Sequence, residues 1–234
     1  MNTLLAFDTS TELMAVGLCH GAQQWLAHDA GGARASAALL PRIHALLAEA
    51  GLAMRDLDAI AFGAGPGAFT GLRTSCAVAQ GLGFGLGRPL LALDSLLLVA
   101  EDARAQAAAD ESEFEIAVAM DARMDEVYAG RYRWTGGAWT TLQPPALHAL
   151  PALAQAWSDA PRCAAGSAIR AFGARLGLPA GALCIADENN RAGALLRLAQ
   201  AMFDAGGALD AAAALPLYLR DKVALTTAER EAAR

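Results

Sequence analysis

The stretch from Leu57 to Gly87 constrains this chain more than any other. It opens on an apolar run, Leu57-Asp58-Ala59-Ile60-Ala61-Phe62, that reads as a strand entering a core, and continues Gly63-Ala64-Gly65-Pro66-Gly67-Ala68-Phe69-Thr70-Gly71-Leu72-Arg73. Gly63, Gly65 and Gly67 are expected to take positive φ, Pro66 to fix one φ of the turn, and Thr70 to cap a helix that begins at Gly71. Strand, glycine-rich loop and helix N-terminus together can cradle an anion on free backbone N–H groups. The spacing matches neither a dinucleotide-binding G-x-G-x-x-G unit nor a P-loop with its Lys-Ser/Thr.

The helix that follows is built on small residues. Gly71, Ser75, Ala79, Gly83 and Gly87 recur every four positions and leave one face nearly free of side chains. Interior glycines cost a helix about 1 kcal/mol each, so close approach of another backbone must compensate. That backbone belongs either to the protein's own sheet or to a partner, and both readings stand. A second helix, Ser36 to Ala50, carries Leu39, Leu40, Ile43, Leu46 and Leu47 on one face and ends at Gly51. If the ladder faces outward, helices 36–50 and 71–87 form a helix-on-helix interface through Leu39, Ile43, Leu46, Leu47, Gly71, Ser75, Ala79 and Gly83. Ala79→Arg would then leave the protein folded.

Elements on either side repeat in kind. Leu4 to Ser10, Leu13 to His20 and Gln23 to His28 read as an antiparallel meander. Residues 89–93 form a strand, and Ser95 caps a helix running to about Ala109. Asp110-Glu111-Ser112-Glu113 is a polar hinge, which divides the chain into 1–109 and 110–234. The second half opens on Phe114 to Asp121, a strand that ends in aspartate as the first does. Strands follow at 126–133 and 138–142, a loop at Pro144-Pro145, helices at 149–157, 167–177 and 191–205, and a short strand at 182–185. Leu215 to Arg220 is extended, and the charged end after Thr226 is expected to fray. Two strand-rich α/β halves laid down in the same order match the two-lobed fold shared by actin, sugar kinases and chaperone ATPases.

The net charge of −6 argues against a nucleic-acid surface of the chain's own. Cys19, Cys76, Cys163 and Cys184 are scattered without C-x-x-C, as for reduced thiols in a cytosol. Strand-like sequence from Thr3 leaves no room for a secretory leader, and the apolar tract 76–100 is interrupted by Arg88-Pro89 and Asp94. No membrane association is expected.

Candidates for chemistry are few. Asp8, Gly65, Gly67, Thr70 and Arg73 form a candidate anion-binding or structural loop. Asp8 holds a metal-bound water or a phosphate, or simply makes a turn with its own backbone. Arg73 lies in the first turn of its helix, where the macrodipole disfavours a cation. An internal carboxylate, Asp8 or Asp94, is favoured as its compensation over a ligand phosphate. His20, His28, His44 and His148 offer no pair at metal-ligand spacing, and no nucleophile has a base at motif spacing. Asp121-Ala122-Arg123-Met124-Asp125-Glu126-Val127-Tyr128 reads first as an ion-paired hairpin corner, with the lining of a cleft between halves as the alternative.

Phe7-Asp8-Thr9-Ser10, Leu39-Leu40-Pro41, Gly65-Pro66-Gly67-Ala68-Phe69-Thr70-Gly71-Leu72-Arg73, Asp121 to Tyr128 and Pro216-Leu217-Tyr218-Leu219-Arg220 together resemble the bacterial TsaB (YeaZ) family over nearly the whole length. The resemblance implies an α/β, two-lobed actin-like fold of the ASKHA, ribonuclease-H-like kind. It implies a non-catalytic role without cofactor or metal: support of TsaD, which transfers a threonylcarbamoyl group to N6 of adenosine 37 in tRNAs reading codons that begin with adenine. TsaE would join the same assembly, tRNA would be met only through the complex, and the chain alone could pair with itself. TsaD-like proteins carry two metal-binding histidines four residues apart where Ser95 and Val99 stand here. Ala35 and Ala68 replace a histidine and a serine of the usual family pattern. Two other readings compete, a glycopeptidase-like metal-dependent hydrolase and a small-molecule kinase of the same fold.

Overall fold

A computed structural model describes residues 1–159 and 161–220; the expected fraying after Thr226 lies outside the described residues. The chain lays down one element series twice. The first pass is β1 (Thr3–Asp8), β2 (Leu13–His20), β3 (Gln23–Ala30), α1 (Ala35–Ala50), β4 (Ala59–Gly65), α2 (Phe69–Leu86), β5 (Leu90–Asp94) and α3 (Ser95–Ala107). The second is β6 (Glu113–Asp121), β7 (Glu126–Thr135), β8 (Ala138–Ala149), α4 (Leu150–Ala156), β9 (Cys163–Ala165), α5 (Ala168–Phe172), β10 (Leu183–Ile185) and α6 (Arg191–Asp204).

The sheets have equivalent orders, β3-β2-β1-β4-β5 and β8-β7-β6-β9-β10. Each joins an antiparallel meander to two parallel strands. This is the duplicated α/β architecture of the actin-like fold. β1 and β4, central and covered on both faces, are buried throughout, as their unbroken apolar runs require.

Helices cover the sheets in five layers. α1 and α2 pack on one face of the first sheet through Leu39, Ile43, Leu46, Leu47, Cys76 and Ala79. Its other face is covered mainly by α6, through Leu195, Leu196 and Ala199, although α6 is the last helix of the second pass. Reciprocally, α3 presents Leu96, Val99 and Ala103 to the second sheet, whose far face carries α4 and α5. The closing helices are thus exchanged and lie together between the sheets. Buried Glu101 on α3 accepts from Arg104, from Arg197 of α6 and from Trp139 Nε1 of β8 (2.8 Å). Asp102 accepts from the backbone N–H groups of Asn189 and Asn190 at the entry to α6 (2.9 and 2.8 Å).

Several expectations are corrected. The small-residue ladder faces inward: Gly71, Ser75, Ala79 and Gly83 are buried, as are Leu39, Ile43, Leu46 and Leu47 of α1, all against the protein's own sheet and loops. Ala79→Arg would therefore place a cation in the core. Gly63 and Gly65 belong to β4, and of the three loop glycines only Gly65 has positive φ (118°). α2 begins at Phe69, so Thr70 lies inside its first turn and is exposed, and no side chain caps the helix. Asp94, not Ser95, caps α3, accepting from Leu96 N and Leu97 N (2.8 and 3.3 Å). β8 runs through Pro144-Pro145, which an edge strand tolerates because one side of its ladder needs no donor. The 167–177 helix is a short α5 followed by a 3-10 turn.

Candidate site between the lobes

Asp8 ends β1 at the bottom of the space between lobes and is wholly buried. Its Oδ1 accepts from Ser10 N (2.5 Å), and its Oδ2 from Ser95 Oγ (3.0 Å) and Arg191 Nη2 (3.1 Å). Ser95 in turn accepts from Gly65 N (3.2 Å), fastening the end of β4 to the same cluster. Arg191, 1% exposed, begins α6; it also donates to Ser10 Oγ (3.3 Å) and pairs with Glu188, while its Nε has no partner among the described residues. Burial pushes the Asp8 pKa up, but the Arg191 guanidinium and the hydrogen bonds of Ser10 and Ser95 outweigh it and hold the group below the ordinary aspartate range. Burial disfavours the charge on Arg191, and Asp8 and Glu188 more than restore it.

The glycines around Asp8 are there for close approach. A Cβ on Gly63 would fall on the Asp8 carboxylate, and one on Gly71 would fall on Thr9 O. One on Gly67 would lie 2.6 Å from Ser10 Cβ. Thr9 completes the seam: its Oγ1 donates to Gly71 O (2.7 Å) and its N–H to Ser75 Oγ (3.1 Å). The first turn of α2 is thus sewn to the turn after β1.

Neither carboxylate compensates Arg73. That side chain is exposed, lies over the Phe69 ring (4.0 Å to the centroid) and donates to Tyr218 OH (3.1 Å). Asp94 instead binds Tyr132 OH (2.6 Å), and burial raises its pKa against the pull of its three hydrogen-bond donors. Of the loop candidates, Asp8, Gly65 and Gly67 come together, while Thr70 and Arg73 point elsewhere.

Above this cluster lies a cavity of about 660 Å³ between the lobes. Ser10, Pro66, Gly67 and Phe69 line one side, Asp121, Arg123 and Tyr128 the other, and Leu217 to Arg220 cross the rim. The 121–128 corner is thus both an ion-paired hairpin and a cleft wall: Arg123 pairs with Asp121 and Glu12, and Asp125 with Arg175. Its residues Arg123, Met124 and Asp125 all have left-handed φ (65°, 58° and 55°). The other arginines on the wall are matched too, Arg170 by Asp187 and Arg220 by Glu126. Among the described residues, no group of three or more His, Cys, Asp and Glu could hold a metal, and no helix is long and apolar enough to cross a membrane.

The comparisons with known proteins bear on this geometry. A model of the TsaD family, tRNA N6-adenosine threonylcarbamoyltransferase, matches residues 32–170. The solved structure titled YeaZ from Pseudomonas aeruginosa superposes with a TM-score of 0.81 at 37% identity, covering 94% of this chain and all of that one. The chain belongs to the TsaB/YeaZ family. Two curated relatives carry the name tRNA threonylcarbamoyladenosine biosynthesis protein TsaB: that of Haemophilus influenzae is 41% identical over 127 residues, and that of Escherichia coli 32% over 152. The matched part spans 52% and 64% of those relatives' own length, and 54% and 62% of this chain. In this TsaB/YeaZ chain Ser95 binds Asp8, and Val99 is buried against the second sheet. Sequence reasoning missed Arg191, which sits 183 positions from its partner. A cation at the first position of the helix expected over 191–205 was the available signal.

Proposed function

We propose that this chain is a non-catalytic subunit in the biosynthesis of tRNA threonylcarbamoyladenosine, holding TsaD for transfer to N6 of adenosine 37, with TsaE in the same assembly and tRNA met only through the complex. The reading begins from the names of the curated relatives. It draws support from the saturation of Asp8, whose oxygens are taken up by Arg191, Ser10 and Ser95. A hydrolase or a kinase of this fold would need that carboxylate for a ligand.

One observation carries the interface part of the proposal. The outward face of α2 holds a second small-residue row, Ala77, Gly81 and Gly85, interleaved with the buried one. A Cβ on Gly81 or Gly85 would meet nothing within 4 Å among the described residues, so no contact described there calls for glycine. A helix that tolerates two such glycines in its exposed turns gains a surface on which another helix can lie closely. Phe84 (63% exposed) and Leu40 of α1 (41%) supply apolar contact beside it. TsaD would seat here, and a second copy of the chain could take its place when TsaD is absent.

Gly81→Arg tests this. The variant should fold with an unchanged circular dichroism spectrum and melting temperature, lose co-purification with TsaD, and fail to restore the modified nucleoside in cells lacking the wild-type protein. A folded Gly81→Arg protein that still binds TsaD would place the interface elsewhere.

A further inference from the structure

The segment from Ala214 to Arg220 has no regular secondary structure, yet it is held from both lobes. On the first lobe, Ala214 O accepts from Gln80 Nε2 (3.0 Å) and from Cys76 Sγ (3.6 Å), and Leu217 N donates to Ala64 O at the end of β4 (2.7 Å). Gly65 lets the segment lie flat there, since a Cβ would come within 2.8 Å of Leu217 O. Tyr218 stacks at 5.2 Å on Phe69 and accepts from Arg73. Two residues on, the chain reaches the other lobe. Arg220 pairs with Glu126 of β7, donates to Arg123 O (3.4 Å) and reaches Met124 Sδ (3.8 Å).

Arg220 thus grips the corner whose three residues hold left-handed φ, a conformation uncommon for side chains of this kind and kept only where surroundings enforce it. Among the described residues, the salt bridge that joins this corner directly to the first lobe, Arg123 with Glu12, links two largely exposed side chains and constrains little. Arg220 is by contrast mostly buried at its pair.

We propose that residues 214–220 form a strap that clamps the two lobes across the rim of the cavity, with Tyr218 as its anchor on the first lobe and Arg220 as its latch on the second. Releasing either end frees the 122–126 corner and widens access to the cavity. The strap stands independently of the TsaD reading, since neither its contacts nor its test involve a partner.

Hydrogen exchange on the full chain tests it. In Arg220→Ala the amides of 122–126 should exchange about tenfold faster or more, with the amides of β1 and β6 unchanged. Tyr218→Ala, on the opposite lobe, should produce the same acceleration at 122–126, because the latch has lost its anchor. A thiol placed on the cavity lining by Ala186→Cys, in a background where the exposed Cys184 is changed to Ser, should react faster with a maleimide in both variants. Three results would overturn the strap: unchanged exchange at the corner, acceleration confined to the neighbourhood of each substitution, or acceleration spread evenly over the sheets.

Discussion

Arg191 and Asp8 form a buried pair in which each charge depends on the other. Replacing Arg191 by Met should destabilise the protein by about 3–5 kcal/mol, chiefly by leaving Asp8 buried and unpaired. Asp8→Asn added to it should recover part of that loss, measured by urea denaturation. The sign of the pH dependence follows. In the wild type the folded Asp8 pKa is lowered, as is that of Glu101, where arginines and Trp139 overcome burial. Their stabilising contribution is fully present above the unfolded values near about 4 and is lost as pH falls through the folded ones. In Arg191→Met only the hydrogen bonds of Ser10 and Ser95 are left against burial, the largest of the influences on Asp8, so its folded pKa should rise above the unfolded value and stability should fall as pH rises. The deficit of the variant should therefore shrink between pH 7 and about pH 4, which thermal melts across that range would read.

At the scale of elements, α2 carries two small-residue rows with opposite demands. Gly71→Ala drives a methyl into Thr9 O and should destabilise the chain, whereas Gly81→Ala and Gly85→Ala should each stabilise the isolated protein by about 1 kcal/mol while weakening partner binding. Urea melts and a binding assay on the same variants separate the two effects. Leu39→Ala should cost about 2–5 kcal/mol in the protein alone, because that leucine belongs to its core. The two rows also explain what was legible in the sequence. The four-residue period of α2 could be read, but with both rows small, no hydrophobic contrast told which one faced in. The apolar runs of β1 and β4, the stripe of α1 and the αL cap at Gly51 were plain, since burial and termination are local signals. β9, three residues long, was too short to show a period. The site was legible only on one side: Asp8 and the glycines lie within one or two loops, while Arg191, Glu188 and Arg220 arrive from the far end of the chain.

At the scale of the molecule, the exchange of α3 and α6 makes the two halves mutually dependent. Sheet order divides near residue 110, but the face of the first sheet bearing Leu4, Ala6, Leu91 and Leu93 is covered chiefly by α6. A fragment of residues 1–109 should therefore bind a hydrophobic dye and unfold without a cooperative transition, whereas a fragment with its own closing helix in place would do neither.

The same exchange sets an order of events during synthesis. The opening sheet leaves the ribosome early with one side bare, and the helix that covers it emerges only after the whole second sheet has been made. Until then the nascent chain carries a strip of leucine and alanine that a chaperone can read, and α6 closes the first half only after the second sheet, with α3 on its inner face, is complete.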